Sequence, residues 1–424
     1  MSGARDKGFR GWIVAAGLAL SFFSVCGCYG YSFGVLLPRI IEETGWLWRD
    51  TSWAFAIHTV VFSLIGPLVG WLIVKVGARR NFVFGHLFIV IGLIGMSFSR
   101  ELWHVYLTYG VVGGLGLGFG GLLTMESVIS NWFIRRRSFV FGMVIAAGGV
   151  GGFAFPHLIG WMLTGGALDW RESLLVLAGI HLLLAVVISG SLARGKPADV
   201  GQVADGGAAG VVGGEKEKVS SSPRAYHTPV DWEPGLAMRQ PATWLIMIMV
   251  ILNLFVSTII QVHQVAYLED VGFTQLVAAG ALGFVLGFSV LGRLGFGTLA
   301  LRFPVRYLIA AFFALRVIAL VILINAGSVG MIYLYVALSG LAYGGLYVFR
   351  PVILGAYYGA SHYPRIAGWV ALVGILGALG SVAAGAVRDI LGEYLFILYV
   401  AMGLSVLGII CALLARPPRH PALK

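Results

Sequence analysis

The sequence predicts an all-α membrane protein in which twelve transmembrane helices form two pseudo-symmetric six-helix bundles. Three observations predict this fold class. The 424-residue chain is 59% hydrophobic and only 11% charged, whereas about 25% of the residues of a soluble domain are charged. Apolar runs of about 20 residues, enough to cross a hydrocarbon core about 30 Å thick, recur along the chain. A pattern of glycines in the first half also returns in the second half.

The apolar runs predict the spans one by one. The first run follows MSGARDKGFR and extends over about 26 residues, longer than the apolar core of a cleavable signal peptide, so we expect it to remain as a helix. The predicted spans lie near residues 12–37, 50–74, 80–98, 103–130, 137–163, 171–193, 242–268, 274–300, 304–325, 329–357, 364–387 and 394–415.

A polar segment divides the spans into two sets of six. It contains DVGQVADGGAAGVVGGEKEKVSSSPR, which is too rich in Gly, Ser and charge to be buried and therefore indicates a flexible cytoplasmic linker. The predicted domains are an N-terminal bundle at 1–193, the linker at 194–240 and a C-terminal bundle at 241–424.

Glycines mark an internal repeat between the two halves. The glycines of the fifth span return in the eleventh at an offset of 226 residues, which predicts related folds for the two halves. The matching residues are Gly142, Gly148 and Gly151 in the first half and Gly368, Gly374 and Gly377 in the second. Two six-helix halves joined by a linker are typical of transporters whose substrate site lies at the midplane between the halves. The stretches GGLGLGFGG and AAGGVGG are interpreted as helix-packing sites, because small residues let membrane helices approach closely.

The basic residues predict the orientation in the membrane. Of the 29 lysines and arginines, 21 fall on the side of the N-terminus, five on the opposite side and three within spans. The positive-inside rule therefore places both termini of this multi-pass protein in the cytoplasm, with the inner membrane of a bacterium as the expected location. The same distribution accounts for the net charge of +11 without a nucleic-acid partner.

The chain shows no signature of an enzyme or of a cofactor protein. Its three cysteines, Cys26, Cys28 and Cys411, all lie in apolar runs and have no metal-ligand spacing. No nucleophile with a neighbouring base is predicted across the spans. We therefore expect no enzymatic activity, no metal and no cofactor, and a protein that works as a monomer in the lipid bilayer.

Several stretches resemble the major facilitator superfamily over essentially the whole chain. GWLIVKVGARR, between the second and third spans, is similar to the family loop G-x-L-x-D-R-x-G-R-R, with Val74 at its acidic position. GTLALRFPVR is similar to the second copy of this loop, with Leu301 at that position. The stretches that resemble the monocarboxylate and oxalate/formate porter branch are YSFGVLLPRIIEETGW, NWFIRRRSFVFG, DWRESLLVLAG and HQVAYLEDVGFTQLVAAG.

This resemblance implies a secondary active transporter of small monocarboxylates, such as lactate or pyruvate, that works by alternating access and is coupled to protons. Two alternatives stay open. One is an organic anion exchanger of the oxalate/formate type that needs no protons, and the other is a substrate sensor that has kept the transport fold.

Arg293 is the candidate substrate-binding residue. It ends a run from Thr274 to Gly292 that has no charged residue, and it lies about eight residues, or roughly 12 Å, from the predicted end of the eighth helix. An arginine near the bilayer centre costs at least about 2.5 kcal/mol and usually marks a substrate pathway. Its planar fork donates two parallel hydrogen bonds to a carboxylate and stays charged at any pH. A structural pair is the alternative.

The resemblance adds a role for this arginine. In the porter branch, an arginine four residues before the loop glycine of the eighth helix binds the substrate carboxylate, and Arg293 stands four residues before Gly297. The lysine that some members carry on the first or eleventh helix is absent from both spans here. The resemblance therefore favours a monoanion over a small dicarboxylate.

Four tyrosines are further candidates for substrate contact. Tyr343 and Tyr347 lie one turn apart in the tenth span, and Tyr29 and Tyr31 lie in the first. Their hydroxyls and ring faces suit a short-chain acid, and the alternative is that they only pack.

Charged residues and a histidine predict two gates. His263 and Asp270 lie two turns apart on one face at the outer end of the seventh span, where they would serve proton coupling or an outer gate. The alternatives are that His263 is a satisfied polar group and that Asp270 is a solvated loop residue. Glu126 and Arg350 lie at similar depth on pseudo-equivalent helices near the cytoplasmic side and are predicted to pair as a cytoplasmic gate, with local partners as the alternative.

Four other polar residues of the spans are assigned neither to the substrate site nor to a gate. His58, His157 and His181 are interpreted as packed polar groups, and Arg316 of the ninth span has no predicted role.

Overall fold

The computed structural model describes residues 9–134, 136–164, 167–205, 226, 228, 230–359 and 362–418. These residues form helices and short connections, and no β-strand occurs among them. The two chain ends, at 1–8 and 419–424, and residues 206–225 of the predicted linker lie outside the described residues.

The described part of the chain contains eleven helices that are long and apolar enough to cross a membrane, and a bent pair of helices makes a twelfth span. In chain order, the spans are α1 (Gly11–Thr44), α2 (Trp48–Leu64 with Leu68–Val76), α3 (Ala78–Ser97), α4 (Leu102–Trp132), α5 (Phe139–Leu163), α6 (Trp170–Leu192), α7 (Pro241–Asp270), α8 (Gln275–Ala300), α9 (Val305–Ile324), α10 (Val329–Tyr358), α11 (Arg365–Leu391) and α12 (Leu395–Leu414). The predicted all-α membrane fold is confirmed.

The bend in α2 follows from its sequence. The two parts of α2 meet at 56° across residues 65–67, where the chain reads Ile65, Gly66, Pro67. Proline has no backbone N–H to donate to the preceding turn, and sharp helix kinks usually occur at such positions.

Three helices contain π-helical stretches. They are Val25–Gly30 in α1, Tyr106–Gly113 in α4 and Leu182–Ser189 in α6. A π-helical stretch interrupts the ordinary hydrogen-bond ladder and is frequently found at functional sites. Each of these stretches is therefore a place where the helical register changes locally.

The chain forms two compact units. The first unit consists of Met1–Ser32, Ile57–Phe155 and Gly165–Glu217. Within it, α3 and α4 approach through glycines, since a side chain at Gly85 would collide with the backbone of Gly120. The interpretation of GGLGLGFGG as a packing site is confirmed.

The second unit consists of Phe33–Ala56, Pro156–Thr164 and Lys218–Lys424. It holds α7 to α12 together with the predicted outer ends of α1, α2 and α5. Gly34 of α1 lies directly against the backbone carbonyl of Gln261 in α7, which is why these helices approach so closely. The domain limits at residues 193 and 240 stay a prediction.

Candidate functional site

Arg293 lies on α8 with its guanidinium group over an aromatic ring of α10. The Cζ atom of Arg293 is 4.5 Å from the ring centroid of Tyr347. The arginine is half-buried and the tyrosine ring is exposed within the chain. A cation over a ring face is held by the ring's quadrupole, most strongly where water is scarce. The tyrosine ring thus covers one face of the guanidinium. The edge of the guanidinium carries the N–H groups that can donate two parallel hydrogen bonds to a carboxylate.

The second candidate tyrosine of α10 lies beside the first. The ring centroids of Tyr343 and Tyr347 are 6.4 Å apart, with an angle of 31° between the planes. The second unit therefore brings together three of the predicted substrate-binding residues. Their role stays a prediction.

Glycines allow α8 and α10 to approach closely enough for this contact. Gly344 lies against the backbone carbonyl of Ser289, and a Cβ atom at Gly344 would be 2.9 Å from the backbone nitrogen of Arg293. Gly292 packs in the same way against the backbone of Leu341. Glycine is required at these positions because the two backbones occupy the space of a side chain.

The substitution Gly344→Ala is expected to displace Arg293 and to destabilise the protein by about 1 to 3 kcal/mol, because the added methyl group meets backbone atoms that cannot rotate away. Both the temperature of thermal unfolding of the purified protein and the rate of substrate uptake are expected to fall. Gly355→Ala is the control on the same helix, since a Cβ atom at Gly355 has no neighbour within 4 Å. Equal unfolding temperatures for the two variants would contradict this account of the contact.

Arg316 of α9 is a second arginine inside the second unit, and it is almost completely buried. It donates hydrogen bonds to the backbone carbonyl of Asn253, at 3.4 Å, and to the hydroxyl of Ser257, at 3.3 Å. Both acceptors are neutral groups of α7. The residue therefore ties α9 to α7 and adds positive charge to the interior of the second unit.

The two candidate tyrosines of α1 belong to the first unit. The Tyr29 hydroxyl donates to the backbone carbonyl of Tyr109 at 2.8 Å, and its ring contacts His58 edge-on at 5.3 Å. Tyr31 is buried directly after the π-helical stretch of α1. The hydroxyl proton of Tyr29 is thus already engaged, so Tyr29 offers a substrate only its oxygen lone pairs. Substrate contact by these two residues stays a prediction.

His263 lies at the centre of a buried polar network in the second unit. Its Nε2 atom is 2.8 Å from the backbone oxygen of Ser381 and 3.1 Å from the Ser52 hydroxyl, and its Nδ1 atom is 3.0 Å from the Tyr394 hydroxyl. Because a carbonyl oxygen only accepts hydrogen bonds, Nε2 must carry the proton, and neutral Nδ1 accepts from Tyr394. The network joins α2, α7 and α11 to the start of α12.

Asp270 belongs to a charged layer just outside this network. Its carboxylate is 3.0 Å from an Nη atom of Arg388, whose guanidinium also lies 5.5 Å from the ring centroid of Tyr394. Arg39 of α1 donates to the side-chain oxygen of Gln275 in α8 at 2.8 Å. An Nη atom of Arg39 also lies 3.6 Å from a carboxylate oxygen of Glu269 in α7. Asp270 is therefore part of a charged layer that connects α1, α7, α8 and α11, and His263 lies in the buried network beside this layer.

Sequence reasoning missed a further carboxylate of this layer. The oxygens of Asp389 accept the backbone N–H groups of Trp48, at 2.9 Å, and Arg49, at 2.8 Å, at the start of α2. These residues are about 340 positions apart in the chain, and no periodic pattern in the sequence connects them.

Glu126 of α4 and Arg350 of α10 fall in different compact units. Arg350 is half-buried on its helix. The backbone carbonyl of Glu126 accepts a hydrogen bond from Ser130. Their pairing as a cytoplasmic gate stays a prediction. Within the described part of the chain, no group of three His, Cys, Asp or Glu residues is placed to hold a metal ion.

Comparison with known proteins places these helices in a family. The sequence model of the Major Facilitator Superfamily matches residues 17–313. The chain is 28% identical over 391 residues to monocarboxylate transporter 13 of Bos taurus, covering 91% of this chain and 84% of that protein. It is also 28% identical over 411 residues to monocarboxylate transporter 3 of Rattus norvegicus, covering 94% of this chain and 78% of that protein. Both relatives are transporters and not enzymes.

Solved structures agree on the fold. A bacterial homologue of the human lysosomal transporter Spinster, in an inward-facing and unoccupied conformation, matches with a TM-score of 0.68 at 15% identity and covers 98% of this chain and 99% of its own. The nucleoside transporter NupG matches with a TM-score of 0.71 at 13% identity, with 96% and 100% covered. The chain therefore belongs to the major facilitator superfamily, and it is a membrane transport protein similar to the monocarboxylate transporters.

Proposed function

We propose that the protein is a secondary active transporter that carries a small monocarboxylate, such as lactate or pyruvate, together with a proton by alternating access. The observation that carries the proposal is the half-buried Arg293 guanidinium held over the ring of Tyr347 inside a membrane-spanning helix. A fixed cation inside a membrane-spanning helix attracts an anion, since a charge is costly to hold in the membrane.

The hydrogen-bond donors of Arg293 and Tyr343 favour a short substrate with a single carboxylate. Arg293 offers one planar fork, which matches one carboxylate. Tyr343 lies beside Tyr347 and supplies a hydroxyl for a hydroxyl or keto oxygen next to that carboxylate. A short 2-hydroxy or 2-keto acid uses all of these groups. The names of the monocarboxylate transporters that the chain resembles support the same substrate class.

Two gates complete the proposal. The charged layer that contains Asp270, Arg388 and Asp389, together with the buried network of His263, is assigned to the outer gate, because these contacts join helix ends of both predicted bundles. Glu126 and Arg350 are assigned to the cytoplasmic gate. The protein would act as a monomer in a bacterial inner membrane, with both termini in the cytoplasm, as the basic residues of its loops favour.

Uptake into proteoliposomes tests this function. With an inward pH gradient of one unit, electroneutral symport of one proton per anion is expected to concentrate lactate or pyruvate about tenfold, since one pH unit is a tenfold proton ratio. Labelled acetate, lactate, pyruvate and oxalate form the substrate panel. Uptake that needs a counter-anion and ignores the pH gradient would establish exchange instead, and the absence of uptake of every acid would overturn the proposal.

A further inference from the structure

Four polar side chains form a continuous hydrogen-bonded chain inside the first unit. The Ser21 hydroxyl of α1 lies 2.7 Å from Nε2 of His86 in α3. Nδ1 of His86 lies 3.3 Å from Nε2 of His181 in α6, and Nδ1 of His181 lies 2.6 Å from the Ser24 hydroxyl of α1. Every ring nitrogen of the two histidines thus has a hydrogen-bonding partner, and the chain begins and ends on the same helix.

The histidine pair is sealed from solvent. All four side chains are fully buried, the ring of Phe82 packs edge-on against His86 at 4.4 Å, and Gly120 of α4 lies so close to the His86 ring that a Cβ atom there would be 3.2 Å from it. The thiol of Cys28 lies 3.9 Å from the Ser24 hydroxyl. In the described part of the chain, neither ring forms a hydrogen bond or an ion pair with a carboxylate, a lysine or an arginine.

Among the described residues of the surrounding helices, no hydrogen bond or ion pair joins the pair to the other titratable and charged residues. Those residues are Cys26, Tyr29, Tyr31, Arg39, Glu42 and Glu43 of α1, Arg79 and Arg80 of α3, His104, Tyr106, Tyr109 and Glu126 of α4, and Arg171 and Glu172 of α6. Tyr29 and Tyr109 bond to each other's backbone carbonyl groups. Arg79, Arg171 and Glu172 stand within the first turn of their helices.

The four hydrogen-bonded side chains Ser21, His86, His181 and Ser24 can together accept one extra proton. In the neutral pair, each ring carries one N–H, and either ring can donate to the other. An imidazolium at His86 donates to the Ser21 hydroxyl and to Nε2 of His181, and the Nδ1–H of His181 donates to the Ser24 hydroxyl. Every ring N–H then has an acceptor without any change in the positions of the rings. A second proton would place two cations 3.3 Å apart in a buried site, which like-charge repulsion forbids.

We propose that His86 and His181 together form a binding site for a single shared proton, and that this is the proton carried with the monocarboxylate. The proposal rests on the function proposed above for its transport role. It places the proton in the first unit, whereas the candidate anion-binding residue Arg293 lies in the second.

The hydrogen bond between Ser24 and His181 links the histidine pair to the π-helical stretches of α1 and α6. Ser24 directly precedes the π-helical stretch of α1, and His181 directly precedes that of α6. Their hydrogen bond therefore joins the start of one irregular stretch to the start of another. The stretch in α1 ends at Gly30, close to where the chain passes from the first unit to the second after Ser32. In the neutral tautomer in which His181 donates to His86, the Ser24 hydroxyl donates to Nδ1 of His181. An extra proton on the pair makes Ser24 the acceptor instead, so that its hydroxyl hydrogen becomes available to a carbonyl oxygen of the stretch in α1.

Nitrogen NMR of the full chain, labelled at its nine histidines, tests the proton site directly in lipid nanodiscs. Signals of the pair are identified by their loss in His86→Gln and His181→Gln. Between about pH 8 and about pH 5, on either side of the ordinary histidine value, the pair is expected to take up one proton in total. Two neutral rings throughout, or independent protonation of both rings, would overturn the site whatever the protein transports.

Proteoliposome uptake tests the coupling role. The variants His86→Gln and His181→Gln are expected to lower pH-driven accumulation from about tenfold to about onefold. His157→Gln is the matched control, because His157 lies on α5 against Phe284 of the second unit and outside the pair; it is expected to keep the tenfold accumulation. Accumulation that persists in both variants of the pair would overturn coupling while leaving the proposed transport intact. If the wild-type protein moved no monocarboxylate, the proposed function would fail, and the NMR titration would still decide the proton site.

Discussion

Replacing Arg293 by alanine is expected to reduce kcat/KM for monocarboxylate uptake by about 30-fold to a few thousand-fold. Truncating one member of a desolvated, hydrogen-bonded charge pair costs about 2 to 5 kcal/mol, and each 1.4 kcal/mol is a factor of ten. The substrate carboxylate would enter a site whose only proposed fixed positive charge has gone. Uptake of labelled lactate by proteoliposomes, measured as a function of concentration, gives this number directly.

Further substitutions separate charge from geometry. Arg293→Lys keeps a positive charge and loses the planar fork, so we expect a smaller loss than in the alanine variant. Tyr347→Phe keeps the ring under the guanidinium, whereas Tyr347→Ala removes it, and only the second is expected to weaken uptake strongly. Arg306→Ala is the matched control, since Arg306 lies 4.6 Å from the ring centroid of Tyr307 at the start of α9, away from the candidate site. Full uptake by Arg293→Ala would end the proposed role of this residue.

The helices could be predicted from the sequence because hydropathy and helix-breaking residues are local signals. The predicted span 274–300 is α8 almost to the residue, since the side chain of Thr274 caps the helix by accepting the backbone N–H of Val277. Gly66 and Pro67 mark the bend in α2. The division of α1 after Ser32 between two compact units had no local signal, because it depends on which helices the outer end of α1 packs against.

Some residues of the candidate sites could likewise be predicted from the sequence, and others could not. Arg293 could be identified because a charge inside an apolar run is costly wherever the fold places it. His181 was interpreted as a packed polar group, and its contact with His86, 95 residues away, could not be predicted from a single sequence. A buried histidine takes its chemistry from the groups that face it, and those groups are known only once the helices are assembled.

The side chain of Asp389, near the end of α11, forms hydrogen bonds with the start of α2. The first backbone N–H groups of a helix have no partner within the helix and carry the positive end of its dipole. At the start of α2, both oxygens of Asp389 satisfy such groups, those of Trp48 and Arg49. The carboxylate thus caps α2 from the end of α11. We expect these hydrogen bonds to break when the proposed outer gate opens, so that Asp389 stabilises the closed gate.

Removal of this cap by Asp389→Ala is expected to shift the equilibrium toward an open outer gate by about fivefold to 30-fold, since a lost N-terminal cap costs about 1 to 2 kcal/mol. A cysteine at Ala56 reports the shift, because Ala56 is 1% exposed in a small cluster with Ala378 and Val382 between α2 and α11. In a chain whose native cysteines are replaced by alanine, labelling of Ala56→Cys from the outer side should become faster by that factor. Glu393→Gln, an exposed carboxylate four residues beyond Asp389, should leave the rate unchanged. Equal labelling rates with and without Asp389 would mean that α2 and α11 separate without breaking this contact, and the outer gate would then have to lie elsewhere in the charged layer.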